Sequence, residues 1–97
     1  MSGYPERVAD VGRLRDLGQW ELTTVPIPIS DYSRPVVAIA IQNTESQGNN
    51  VMVGDEIRHS MLITGGNTYT VRAADAGQVY IRAEVGTVTV AIHIFEP

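Results

Sequence analysis

The sequence predicts a small antiparallel β-sandwich or jelly roll of about seven strands with an N-terminal arm. Three observations lead there. From Gln19 onward, short runs rich in Val, Ile, Thr and Tyr alternate with clusters of Gly, Asn, Asp, Ser and Pro. Two of those runs show period two, the period of a strand with a single buried face: VYIRAEV alternates apolar with polar or amphipathic residues, and VTVAIHIF places a β-branched Val or Ile at every second position. No segment carries a convincing helical stripe, and 97 residues suffice for one domain at most.

Residues 1–19 differ from the rest. They are dense in charge, and Val8, Val11, Leu14 and Leu17 recur every three residues around Gly12 and Gly18, a poor helical stripe. They are expected to form the arm, with residues 20–97 as the β-sandwich domain. WELTTVPIPI reads as the first strand; Pro26 and Pro28 donate no ladder hydrogen bond, so it belongs at a sheet edge or leaves the sheet there. SDYSRP supplies turn chemistry. VVAIAI is apolar on both faces, as expected of a central strand or of one whose small outer face packs on a partner.

QNTESQGNN is a polar loop and VMV a short strand closed by Gly54-Asp55. MLI and TYTV flank the tight turn TGGN, whose glycines tolerate positive φ. Val79–Ala83 is expected to pair with Thr87–Ile94 as a hairpin centred on Gly86. The expected core is Val37, Ile39, Ile41, Val51, Val53, Ile63, Val71, Val79, Ile81, Val88, Val90, Ile92 and Ile94.

Composition narrows the function. The net charge is −4, and the seven basic residues are scattered arginines without the basic patch that neutralises phosphates, so nucleic acid is not an expected partner. No segment is apolar over the length of a membrane span, and the start lacks the continuous apolar stretch of a secretion signal; a soluble protein with no membrane partner is expected. Without cysteine there is no disulfide, thiolate metal site or cysteine nucleophile.

His59 and His93 are too few for a cupin-like metal site and are read as surface or interface residues. Asp55-Glu56, with Asn49 or Asn50, lacks the spacing of a calcium loop; Asp55 is expected to close a turn on its own backbone. The serines lack a nucleophile signature, and TGGNT lacks the lysine of a phosphate loop. No catalytic, cofactor-binding or metal residue is assigned, and an enzyme is not expected.

Read in order, VVAIAIQNT, VMVGD, LITGGNTYTV and QVYIRAEVGTVTVAIHIFE resemble small virion proteins of tailed bacteriophages, from Val36 to Glu96. These include head decoration (cement) proteins and related head or tail accessory subunits with β-sandwich folds. The resemblance implies a non-enzymatic structural protein on the outer surface of a phage head, made in the host cytoplasm, with the major capsid protein and itself, as a homotrimer, for partners. A tail-associated receptor- or carbohydrate-binding β module using the 43–50 loop and exposed tyrosines such as Tyr32, Tyr69 and Tyr80 is the alternative. The expected interface comprises Tyr4, Val8, Val11, Leu14 and Leu17 for apolar contact and Arg7, Arg13 and Arg15 for carboxylates. Trp20 and Phe95 join it as large apolar groups in outward positions.

Overall fold

A computed structural model of the chain describes residues 13–45 and 49–97. Eight strands are formed: β1 (Arg13–Leu22), β2 (Ile27–Pro28), β3 (Ala38–Asn43), β4 (Val51–Gly54), β5 (Met61–Ile63), β6 (Thr68–Arg72), β7 (Tyr80–Ala83) and β8 (Val88–Glu96), with a 3₁₀ turn at Ala76–Gln78. They make two four-stranded antiparallel sheets, sheet A in the order β1-β8-β3-β6 and sheet B in the order β2-β7-β4-β5. Successive strands therefore change sheet at every connection except β4–β5. That order is the connectivity of an eight-stranded jelly roll.

The alternation places the inner faces as expected. Ile39 and Ile41 of β3 and Val88, Val90, Ile92 and Ile94 of β8 are buried against Val51, Val53, Ile63, Val79, Ile81 and Ala83 of the opposite layer. Val71 packs on this cluster half-buried. Val37 is half-buried and lies outside the cluster; its neighbour Val36 is the buried one, because regular pairing of β3 starts only at Ala38. Leu22, Ile29 and Ala76, outside the expected core set, complete the core.

Three expectations are corrected. First, β7 and β8 are not a hairpin. β7 pairs with β2 and β4, β8 pairs with β1 and β3, and the turn around Gly86 carries the chain from one sheet to the other. Alternation reports which face of a strand is buried and says nothing about its neighbour. Second, WELTTVPIPI is two strands, since the chain crosses between sheets at Thr23–Pro26. Its prolines do lie at an edge, with Pro28 in β2 on the rim of sheet B.

Third, Arg13–Gln19 belong to β1 and not to an arm. The part of the three-residue spacing that lies among the described residues, Leu14 to Leu17, belongs to a strand with a bulge. Register shifts between Asp16 and Gly18, where Gly18 takes φ 85°, a conformation that a side chain would oppose. The extra residue lets both Leu17 and Trp20 turn toward the core. Residues 1–12, the remainder of the expected arm, lie outside the described part.

A buried polar group fixes one end. Asn43, fully enclosed on the inner face of β3, donates from Nδ2 to the carbonyls of Ile63 and Asn49, each at 3.0 Å, and its Oδ1 accepts from the Glu45 N–H at 3.1 Å. Its backbone pairs with Asn67 and Gly66, the latter at φ 80° in the turn that TGGN forms. Asn43→Ala strands two carbonyls and is expected to cost about 1–3 kcal/mol. Ile92→Ala, which opens a cavity at the centre of β8, is expected to cost about 2–5 kcal/mol. Urea melts measure both, and a neutral Ile92→Ala would contradict the register.

Candidate functional site

The edge where β1 lies against β8 gathers most of the described residues expected at an interface. Glu96, at the end of β8, is its electrostatic centre. The Arg15 Nε donates to Glu96 Oε1 at 2.9 Å, while Arg34 donates to Oε2 from Nη2 at 3.2 Å and from Nε at 3.4 Å. The Arg15 hydrogen bond, followed by that of Arg34, holds the Glu96 carboxyl below its ordinary pKa. Arg15, expected to meet a partner's carboxylate, makes this ion pair within the chain, to a residue 81 positions away in sequence, with its side chain still about half exposed. Arg13 lies exposed opposite Glu96 in the register.

Leu17 and Trp20 are also corrected. Both are half-buried against the core, and Trp20 Nε1 donates to the Leu17 carbonyl at 3.0 Å, closing the bulge. Leu14 and Phe95 do stand on the outer face: Leu14 is 62% exposed beside half-buried Phe95, its register partner. Tyr4, Arg7, Val8 and Val11 lie outside the described residues.

The outer face of sheet A is built in rows, because directly opposed residues of antiparallel strands point to the same side. One row is Leu14, Phe95, Ala38 and Arg72; the next is Asp16, His93, Ala40 and Thr70; a third is Gln19, Ala91, Gln42 and Thr68. His93 Nε2 lies 3.6 Å from Asp16 Oδ2. Small side chains hold the middle of the face, and its apolar end carries Leu14 and Phe95. This is the small outer face that VVAIAI suggested.

A second surface lies on sheet B. Pro28, Ser30, Asp31, Tyr32, Ser33, Asp75, Gly77, Gln78 and Tyr80 line an open groove of about 400 Å³, continued toward Asp55 and Glu56. Asp75 fixes its walls: its carboxylate accepts from Ser33 Oγ and from the N–H groups of Arg34 (2.9 Å) and Gly77 (2.8 Å). Those bonds, Ser33 first, lower the Asp75 pKa. Asp55 closes its own turn as expected, accepting from the N–H groups of Arg58 (2.7 Å) and Ile57 (2.8 Å), which lower its pKa in that order. His59, expected at the surface, is half-buried, and its Nε2 is enclosed without a hydrogen-bond partner among the described residues.

No group of three or more His, Asp and Glu side chains converges as a metal site among the described residues. No helix there is long and apolar enough to cross a membrane. Comparison with models of known protein families and with curated protein sequences finds no match.

The carboxylates give a testable pH dependence. The folded pKa values of Asp55, Asp75 and Glu96 lie below their unfolded values. Their stabilisation is therefore complete above the unfolded carboxylate range, about 4, and is lost as pH falls through the folded values. Asp75→Asn and Glu96→Gln are expected to melt below wild type at neutral pH, with the gap closing as acid protonates the native groups. Thermal melts between neutral pH and about pH 2 measure this; a gap constant with pH would contradict it.

Proposed function

We propose that this chain is a non-enzymatic virion structural protein of a tailed phage, a decoration subunit that docks on the outer surface of the head. The major capsid protein is its partner in this reading. One observation carries it: residues 1–12 run directly into β1, an edge strand held to β8 through nine register pairs. A segment bound to a neighbouring subunit would be continuous with the sheet, so its attachment would be borne by the whole domain. Tyr4, Val8 and Val11 supply apolar contact in that segment and Arg7 supplies a cation, with Arg13 adjoining it at the start of β1. Exposed ion pairs contribute only about 0.2–1 kcal/mol each, so apolar burial carries most of the affinity. The jelly roll also serves as a capsid and lectin scaffold, which agrees with the reading by analogy alone.

The sheet B groove favours a second reading, a tail-associated carbohydrate- or receptor-binding module. Tyr32, 65% exposed, and half-buried Tyr80 present rings beside Asp31 and Gln78. Apolar ring faces next to planar hydrogen-bonding groups match the alternating C–H and O–H surfaces of a sugar.

Deleting residues 1–12 separates the two, since it spares β1. The docking reading expects a folded core, with the circular dichroism of the full chain, that no longer binds heads lacking this protein. Normal binding by the truncated chain would overturn it. Glycan binding by the full chain that Tyr32→Ala abolishes would put the second reading in its place.

A further inference from the structure

We propose that the outer face of sheet A pairs with the same face of a second copy of this chain, about a two-fold axis running along the strands between β8 and β3. This inference is independent of the head-docking reading. It rests on the order of side chains along each row. An axis parallel to the strands keeps each row at its own height and reverses the strand order, so β8 of one copy lies over β3 of the other and β1 lies over β6. Phe95 then meets Ala38 of the second copy, and His93 meets Ala40. In both rows a large side chain on β8 faces an alanine on β3, and the reciprocal contact repeats the match. Knob and hollow belong to one surface, which is the requirement for an isologous interface.

The periphery agrees. Leu14 on β1 comes over the aliphatic stem of Arg72 on the second copy's β6, and Asp16, one row along, approaches the same guanidinium. Each copy supplies one carboxylate and one cation to these corners. The other axis in the plane, perpendicular to the strands, would invert the rows and set Leu14 and Phe95 against the Gln19 and Ala91 end; it matches neither size nor charge. Alanine is depleted in strands, yet Ala38, Ala40 and Ala91 hold the middle of a face that no described residue covers. Small residues there allow a second sheet to approach closely.

The area sets the strength. Four strands about 4.8 Å apart and some 20 Å of ladder give a face of roughly 400 Å² per copy, about 800 Å² in all, which falls below the ~1,200 Å² of stable specific interfaces and in the class of weak, transient ones. A reversible dimer that dissociates on dilution is expected, not a permanent one and not the trimer of the phage resemblance.

Equilibrium sedimentation of the full chain from low micromolar to several hundred micromolar tests this. Wild type is expected to pass from monomer to dimer. Ala40→Arg is expected to stay monomeric throughout with an unchanged far-ultraviolet circular dichroism spectrum, since the side chain points out of the fold. Asp16→Arg and Arg72→Asp should each weaken the dimer and together restore it. Wild-type protein that remains monomeric, forms a trimer, or forms a dimer indifferent to Ala40→Arg would overturn the proposal.

Discussion

The side-chain amide of Asn43 joins the two sheets at one end of the sandwich, and the path of the chain there depends on it. In a jelly roll nearly every connection crosses from one sheet to the other, so the layers are held mainly by side-chain packing, which is strong but not directional. A buried amide is directional. By bonding Ile63 of sheet B, Asn49 ahead of β4 and Glu45 beyond β3, Asn43 fixes the approach to β4 and the exit from β5 at once. Asp75 has the same role at the other end, tying Ser33, Arg34 and Gly77 together. These polar clamps and the interdigitated Ile and Val between them are one solution: the clamps set the register in which the apolar faces meet.

The two candidate surfaces follow from that frame. Sheet A offers a broad flat face because its two central strands place Ala38, Ala40 and Ala91 outward. Sheet B offers a groove because β2 is only two residues long and the loop after it folds back over the 3₁₀ turn. The arginines at the β1 end serve the domain first. Glu96 takes both Arg15 and Arg34, and an ion pair satisfied within the chain gains little from a partner.

How much of this was legible in the sequence depended on the range of the interaction. Period-two alternation in VYIRAEV and VTVAIHIF identified the buried faces, since burial is recorded locally, residue by residue. Pro26 and Pro28 identified an edge, because a missing N–H is local too. The pairing partner of a strand is not local, so β7 and β8 read as a hairpin although they lie in different sheets. One inserted residue helped to disguise β1: the bulge between Asp16 and Gly18 lets Leu17 and Trp20, three positions apart, both turn inward, so the described part of the supposed arm does not alternate as a strand would. The Arg15–Glu96 pair left no trace in sequence, and neither did the groove, whose lining comes from two segments far apart in the chain.

The position of β8 has a kinetic consequence. It is the last strand in chain order and sits between β1 and β3. During synthesis, β1 therefore has no ladder partner until Val88–Glu96 has left the ribosome, and β3 has only β6. Sheet B has its four strands earlier, but its apolar face then has no complete layer to cover it. Such a chain can bury little surface until nearly all of it is available, and loop-closure entropy for the β1–β8 pairing must be met before those contacts stabilise anything. Folding should be late, slow and cooperative, with β4–β5 the only neighbouring strands among the described residues able to pair as a local hairpin beforehand.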